Sequence, residues 1–267
     1  MLSFIKFVFL LQLLGIAYAA KSNCTINAIG AAQQAFNQKL GISSTITWQF
    51  PLSLGTAIQN IYINGVSSSD PSTANGLVAV CNAYNQFLGV LVQQNVDYNS
   101  CLDPRFIIGN DATPIIGYIY AGVMRMVEYS CGAGLFPAIA SWDCIQHTYA
   151  NRNTSLLGCL NALHLDSETN ITAACSYTKT AMTCWQQQFL QTCGNDNEVS
   201  YYACQTIRAY TSAAYGECND RCLVFGRASY AVDEEIEKLQ EMDKNIQKQP
   251  SPKQALLEEI KAKYMRT

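Results

Sequence analysis

The sequence predicts a mostly α-helical protein, a disulfide-stapled helical bundle that is followed by a charged C-terminal helical tail. Three observations predict this fold class. Apolar residues recur at spacings of three and four along most of the chain, and long alternation of apolar and polar residues is absent. All 12 cysteines come after residue 23. The last 39 residues contain no cysteine but 15 charged side chains of nearly balanced sign.

The N-terminus predicts a secretory signal peptide over residues 1–19. Lys6 precedes an apolar core from Phe7 to Ile16, and Ala17-Tyr18-Ala19 supplies the small residues of a cleavage site. This core is too short to span a bilayer well, and no later stretch reaches about 18 apolar residues without a charge. We therefore expect a secreted, extracellular protein with no transmembrane segment, in which Thr113 to Met124 forms a buried helix.

Three segments are expected after the signal peptide. Residues 20–74 are polar and nearly uncharged, and we expect them to pack on the body with one helix, Asn27 to Leu40. Residues 75–228 are the predicted cysteine-rich helical domain, and residues 229–267 are the predicted tail.

The cysteine-rich domain begins with an amphipathic helix whose apolar residues recur every three or four positions: Leu77, Val80, Cys81, Tyr84, Phe87, Leu88, Leu91 and Val92. A second helix opens with Thr113 as its N-cap and Pro114 at its first position. Two glycines and a proline are expected to end it: Gly132, Gly134 and Pro137. Short polar breaks separate four further predicted helices: Ile145–Ala150, Leu156–Leu163, Asn170–Thr192 and Val199–Tyr215.

The cysteines indicate up to six disulfides, because an even number in an oxidising compartment is typical of a disulfide framework. Cys175, Cys184 and Cys193 are nine residues apart, which turns an α-helix by half a circle each time. A helix that carries all three must therefore be packed on both sides. The pairing itself stays open at this stage. The predicted disulfide cysteines are Cys24, Cys81, Cys101, Cys131, Cys144, Cys159, Cys175, Cys184, Cys193, Cys204, Cys218 and Cys222.

The stretch CGAGLFPAIASWDC, residues 131–144, is followed by His147 and raises the question of a cysteine nucleophile. A papain-like site needs a second cysteine shortly after the first, and Gly134 stands there instead. We interpret Cys131 and Cys144 as two ends of a disulfide.

Other chemistry is weakly indicated. His147 and His164 are the two histidines, and zinc ligation would need free thiolates or carboxylates beside them, so no metal or other cofactor is expected. No Gly-x-Ser-x-Gly elbow is present to position a serine nucleophile. A hydrolase that uses His147 or His164 with a surface acid stays open as an alternative.

Charge and glycosylation signals bear on the partners. A net charge of −3 and a pI near 5.4 give no basic footprint, so we expect no nucleic-acid partner. Three matches to the N-glycosylation acceptor predict a glycoprotein: Asn23, Asn153 and Asn170. In the tail, one narrow apolar stripe is formed by Ile236, Leu239, Met242 and Ile246. A mostly solvated helix explains this stripe, and self-association through residues 229–267 is the alternative.

The blocks CNAYNQFLGVLVQQNVDYNSC, CGAGLFPAIASWDC, TCWQQQFLQTC and YYACQTIRAY resemble a nematode-expanded family of secreted cysteine-rich proteins that carry a domain of unknown function. The resemblance covers roughly residues 75–222. It implies secretion, no assigned reaction and a structural role for five cysteines: Cys81, Cys101, Cys131, Cys144 and Cys159.

Together these features predict a secreted, non-catalytic, disulfide-rich glycoprotein that acts by binding or as an extracellular surface or matrix component. Its partner would be an extracellular protein or an apolar ligand. The main alternative is a carrier with a helical cavity, and the lining residues expected for it are Phe87, Leu91, Ile115, Tyr118 and Trp185.

Overall fold

The computed structural model describes residues 22–66, 75–110, 113–218 and 220–222. Over these ranges the chain forms ten α-helices, a short 3₁₀ turn at Ile171–Ala173 and no β-strand, so the prediction of a disulfide-stapled helical bundle is confirmed. The predicted signal peptide (1–19) and charged tail (229–267) lie outside the described residues. The helices are α1 (Ile26–Leu40), α2 (Pro51–Asn64), α3 (Gly76–Gln93), α4 (Tyr98–Cys101), α5 (Pro104–Ile108), α6 (Pro114–Cys131), α7 (Leu135–Ala140), α8 (Trp142–Thr169), α9 (Ala174–Cys193) and α10 (Asn197–Ala214).

Helix α1 begins and ends with side-chain and backbone signals that the sequence carries. The Thr25 hydroxyl accepts a hydrogen bond from the Ala28 N–H, which satisfies one of the free donors at the helix start. The helix ends at Gly41, whose φ of 67° lies in the left-handed region that favours glycine. Its buried face includes Ile29 and Phe36, which pack into the core.

Helix α2 corrects the expectation of a single helix within residues 20–74. Pro51 stands at its first turn, where the missing N–H does no harm. Phe50 occupies the N-cap without a capping hydrogen bond, so the usual polar start signal is absent. The helix forms because Leu54, Ile58 and Ile61 bury one face against the rest of the protein.

Helices α3 and α6 were predicted and form the apolar centre of the molecule. Asn75 caps α3 by accepting hydrogen bonds from the N–H groups of Leu77 and Val78. Helix α6 begins at Pro114, ends at Cys131 and has Tyr120 fully buried. Pro137 was expected to terminate this segment but instead lies within the first turn of α7, where proline is tolerated.

Helix α8 is one continuous helix where two were predicted. The segment 151–155, read as a polar break, is helical throughout. Its polar side chains do not interrupt the backbone, because Asn151, Thr154 and Ser155 lie on the exposed face. The Asn151 amide donates to the carbonyl of His147 on the same helix. The polar residues at 151–155 therefore form a solvent-exposed face of the helix and do not interrupt it.

Helix α6 packs along α10, and glycine permits the close approach. A β-carbon on Gly122 would lie 2.7 Å from Cδ2 of Tyr210, a distance that real contacts essentially never show. Helix α6 also packs against α2 and α3, while α9 packs between α8 and α10. The described residues thus belong to one compact unit with a shared core.

Six disulfides use all twelve cysteines. Two of them lie within residues 24–131, Cys24–Cys101 and Cys81–Cys131. Four lie within residues 144–222, and no disulfide joins the two sets. These four are Cys144–Cys193, Cys159–Cys184, Cys175–Cys218 and Cys204–Cys222.

The interpretation of Cys131 and Cys144 as two ends of one disulfide is wrong in the pairing. Cys131 is bonded to Cys81 and Cys144 to Cys193. Helix α9 carries three cysteines at nine-residue spacing and is cross-linked to α8 twice and to the segment after α10 once. It packs against both α8 and α10, although Cys184 and Cys193, half a circle apart on the helix, are both bonded to α8.

Candidate functional site

A partly open cavity of about 80 Å³ lies where α2, α6, α8, α9 and α10 meet. Its wall is mainly apolar. The polar groups that reach it are amides, hydroxyls and one imidazole, and none of its lining side chains is Asp, Glu, Lys or Arg. The apolar wall includes Leu52, Ile58, Val123, Met126, Leu160 and Trp185. We call this cavity the five-helix pocket.

The helical repeat explains how two of these walls are built. On α2, Leu52, Gly55 and Ile58 come every three residues and therefore face the same side. On α6, Val123 and Val127 are four residues apart and lie on one face for the same reason. The site exists because these two faces meet helices α8 to α10.

Leu52 marks the open side of the pocket. It lines the cavity, yet 61% of its surface is exposed. Its neighbour Phe50 is 56% exposed. An apolar lip is therefore presented to solvent at the start of α2.

His164 supplies the imidazole of the pocket. Its Nε2 lies 2.6 Å from the Tyr210 hydroxyl, and both residues line the cavity. Burial lowers the pKa of His164 to about 4, so the ring is neutral at pH 7. Burial also raises the pKa of Tyr210, so its phenol keeps its proton. The phenol therefore donates to Nε2, and the ring proton resides on Nδ1.

A group of buried hydroxyls forms another part of the wall. The Ser130 hydroxyl lies 3.1 Å from the Tyr202 hydroxyl. The rings of Tyr62 and Tyr149 pack with their centroids 5.2 Å apart. Burial raises the pKa of both tyrosines, so these groups stay uncharged at any physiological pH.

Trp185 differs from its polar neighbours in the pocket. The residue is 2% exposed, and its indole Nε1 is buried with no hydrogen-bond partner among the described residues. The indole nitrogen can only donate. A buried donor without a partner costs roughly 1–3 kcal/mol. Less than 1 Å² of this nitrogen is accessible, so it is enclosed by its neighbours and is not open to the cavity.

The prediction of which residues line a cavity was mostly wrong. Of the five side chains expected to line it, Trp185 alone lines the five-helix pocket. Phe87 and Leu91 are fully buried in the core that α3 shares with α1. Ile115 packs against the core, and the ring of Tyr118 stacks on that of Tyr215 at 6.3 Å. One wall was missed because it belongs to α2, which has no polar N-cap signal.

The two histidines considered for hydrolysis have different surroundings. His147 is exposed, and its Nδ1 lies 3.1 Å from the Asn151 amide nitrogen. His164 is bonded to a phenol. Within the described ranges neither forms an ion pair, and the ion pairs present are Arg105–Asp103 and Arg125–Glu128. The same ranges hold no cluster of three or more His, Cys, Asp or Glu that could bind a metal ion.

The glycosylation acceptors also differ in their surroundings. Asn23 is exposed and precedes Cys24, which is bonded to Cys101. Asn153 lies within α8, and its Oδ1 is buried without a partner in the described part of the chain. Asn170 is exposed in the break between α8 and the 3₁₀ turn, where its side chain accepts from the N–H and hydroxyl of Thr172.

No helix among the described residues is both long and apolar enough to cross a membrane. No family model, curated protein or solved structure matches the chain. The resemblance to the nematode-expanded family therefore stays a prediction.

Proposed function

We propose that the protein is a secreted, non-catalytic glycoprotein that binds a small apolar ligand in the five-helix pocket. The observation that carries this proposal is the pocket itself, which has an apolar wall and no acidic or basic lining residue. Small-molecule sites are typically concave and mostly apolar, with a few placed polar groups. This pocket favours ligand binding over a purely structural role at a surface or in a matrix.

The disulfide framework supports the proposal in two ways. Six disulfides with no free cysteine are typical of proteins that fold in an oxidising compartment, which agrees with secretion. Two of these bridges join α8 to α9, which both contribute to the pocket wall. A wall that is fixed before binding lowers the entropy cost of holding a ligand.

The surroundings of the histidines favour binding over hydrolysis. A general base must lie within hydrogen-bond reach of the substrate proton that it removes, and its pKa must be near the working pH. His164 is occupied by Tyr210 and has its pKa lowered to about 4. His147 is exposed and contacts an amide.

The test is calorimetric titration of the secreted protein with toluene. Gly55 lines the pocket on α2, and a β-carbon there would lie at an ordinary contact distance of 3.5 Å from Cγ2 of Val123. Gly55→Leu should therefore fill the cavity without disrupting the fold and weaken toluene binding by about tenfold or more. The matched control is Gly30→Leu on α1, where an added β-carbon meets nothing within 4 Å. It should bind toluene as the wild type does.

The two outcomes are separable. Binding by the wild type and by Gly30→Leu, with loss in Gly55→Leu, supports the pocket as the site. Wild-type protein that binds neither toluene nor any other uncharged apolar probe contradicts the proposed function.

A further inference from the structure

We propose that the ligand carries an elongated, uncharged apolar chain, and that this chain runs from the five-helix pocket into a groove between α2 and α8. This inference rests on the proposed function and narrows the chemical class of the ligand. Aliphatic alcohols and other uncharged lipids with a chain belong to that class. The part of the groove outside the pocket is assigned to Phe50, Leu52 and Leu165, and we call it the outer groove.

The pocket opens between α2 and α8. The lining residues of α9 and α10 are all buried: Trp185, Thr206 and Tyr210. Leu52 and Thr56 on α2 and Asn161 on α8 also line the pocket, but these three residues are exposed. A ligand in the pocket therefore has one end toward α9 and α10 and its other end between α2 and α8.

Helices α2 and α8 run in opposite directions along this opening. At the end of α2, the centroid of the Tyr62 ring lies 5.7 Å from that of Trp142 at the start of α8. At the start of α2, Leu52 lines the pocket together with Leu160, which lies farther along α8. Past Leu52, the groove therefore continues toward the beginning of α2 and the end of α8.

Apolar side chains continue in that direction. Phe50 comes immediately before α2 and is exposed. On α8, Leu165 is four residues after Asn161, so it lies on the same face of the helix, and it is 64% exposed. Phe50 and Leu165 are not part of the pocket lining. They therefore extend the apolar lip at Leu52 along the outside of the protein.

The two helices beside the opening carry no charge near it. Helix α2 contains no Asp, Glu, Lys or Arg, and residues 153–165 of α8 contain none either. The imidazole of His164 is neutral because it is buried. An ionised group moved from water into such a site would lose its hydration with no counter-charge to replace it. The bound part of the ligand is therefore uncharged.

The size of the pocket requires a ligand to extend beyond it. The cavity of about 80 Å³ is smaller than the engineered cavity of roughly 150 Å³ that accommodates benzene in another protein. A ligand of six carbons or more, toluene included, therefore reaches into the opening. A chain gains further affinity there, because each methylene that lies on Leu52 and its apolar neighbours is removed from water.

The experiment titrates 1-butanol, 1-hexanol and 1-octanol by calorimetry into the wild type and into two double variants. The outer-groove variant is Phe50→Ser with Leu165→Gln, in which the serine supplies the N-cap hydroxyl that α2 lacks. The matched control is Phe136→Ser with Val92→Gln, because these two apolar residues are also exposed but do not line the pocket. Comparing each alcohol between the proteins cancels the effect of its water solubility.

In the wild type, each methylene that is fully buried should strengthen binding by about fourfold, so octanol should bind at least about tenfold more tightly than butanol. The outer-groove variant should weaken octanol binding by about tenfold and change butanol binding less than about twofold. The control variant should change neither.

Three results would overturn the inference: octanol binds the wild type no more tightly than butanol, the outer-groove variant weakens both alcohols equally or neither, or the control weakens octanol binding as much as the outer-groove variant does. A wild type that binds toluene but none of the alcohols would also overturn it and leave the proposed function standing. Failure to bind toluene and every alcohol would instead overturn the proposed function.

A second measurement needs no variant that must fold. In the wild type, octanol should shift the methyl resonances of both Val123, which lines the pocket, and Leu165, whereas butanol should shift those of Val123 alone. Octanol that leaves the Leu165 methyl resonances unmoved would show that the chain does not enter the outer groove and would overturn the inference.

Discussion

The N-terminal helices, α1 to α6, and the C-terminal helices, α8 to α10, are stabilised differently. Two disulfides cross-link residues 24–131, and four cross-link residues 144–222. Of the 12 buried polar side chains in the described residues, eight lie in the C-terminal helices. They are Thr148, His164, Ser167, Thr178, Gln186, Ser200, Thr206 and Thr211.

This difference explains why the C-terminal helices carry more disulfides than the N-terminal helices. Burial of apolar side chains stabilises a fold in proportion to the area removed from water, and a buried polar group adds little net stability even when it is hydrogen-bonded. A disulfide acts largely by restricting the unfolded chain, so its contribution does not depend on how apolar the helix is. The disulfides therefore give the C-terminal helices stability that burial of their more polar interior does not provide.

No disulfide joins the two groups of helices, which meet through side-chain packing and hydrogen bonds. Gly122 on α6 lets α10 approach, the Ser130 hydroxyl meets that of Tyr202, and the Gln146 amide donates to the carbonyl of Ile63 at 2.7 Å. The five-helix pocket lies at this junction, since α2 and α6 form one side and α8 to α10 the other.

The largest expected effect comes from removing cross-links. Replacing Cys144, Cys193, Cys159 and Cys184 by alanine removes both bridges between α8 and α9. Each bridge is worth about 2–4 kcal/mol, so the loss rivals the total stability of a typical domain. We expect α8 and α9 to lose protection from amide hydrogen exchange and the far-UV circular dichroism to weaken.

The matched variant removes both N-terminal bridges, Cys24–Cys101 and Cys81–Cys131, and should keep its helical signal. Loop length alone gives the opposite ranking, because these bridges span 77 and 50 residues whereas the α8–α9 bridges span 49 and 25. Greater loss of helix in the N-terminal variant would therefore contradict the comparison.

Low pH should destabilise the C-terminal helices, because His164 binds a proton more readily when the protein is unfolded. Its pKa is about 4 in the folded protein and near 6.5 when unfolded, so between these values only the unfolded chain binds the proton. The contribution of the neutral His164 side chain to the free energy of unfolding is fully present above pH 6.5 and is lost as the pH falls toward 4. We expect His164→Gln to remove roughly 2–3 kcal/mol of the stability difference between pH 7 and pH 4.5, measured by urea unfolding.

His147→Gln is the control for this prediction, since His147 is exposed on the same helix. It should keep the loss of stability that His164 causes as the pH falls toward 4. A His164→Gln protein with the wild-type pH profile would mean that the buried imidazole does not couple folding to protonation.

A smaller effect is expected at the junction. Gly122→Ala places a β-carbon against the Tyr210 ring, and overpacking of this kind typically costs about 1–3 kcal/mol. Gly89→Ala on α3 is the matched control, because a β-carbon there meets nothing within 4 Å and alanine favours a helix by up to about 1 kcal/mol. Thermal unfolding should thus show opposite shifts in melting temperature for the two variants.

The smallest effect on stability is expected at the predicted glycosylation sites. Asn170 is exposed in a break between helices, whereas the Asn153 Oδ1 is buried within α8. Asn170→Gln should lower the mass of the protein secreted from animal cells by one glycan and leave unfolding within about 0.5 kcal/mol. Asn153→Gln should cause no loss of glycan mass, and intact mass spectrometry distinguishes the two.

Sequence reasoning predicted the parts of this molecule that depend on local pattern. Helical spacing located α1, α3 and α6, and the cysteine count indicated six bridges. Helix α2 was missed because Phe50 provides no capping side chain, and the continuity of α8 was missed because a solvated helix face resembles a loop in composition. Only tertiary packing decides such cases.

The pocket was beyond sequence reasoning for a related reason. A core tryptophan and a pocket tryptophan look alike in a sequence, and the free N–H of Trp185 becomes visible only when its neighbours are placed. The same holds for His164, whose lowered pKa follows from burial and not from any adjacent residue.

Because no disulfide joins the two sets of cysteines, the backbone between Cys131 and Cys144 is the one covalent connection between them. Helix α7 lies in this connection, and its Phe136 is 84% exposed. A single protease cut there would convert the protein into a non-covalent heterodimer without any reductant. Ligand affinity would then depend on protein concentration, because the pocket would lie at the interface between the two chains.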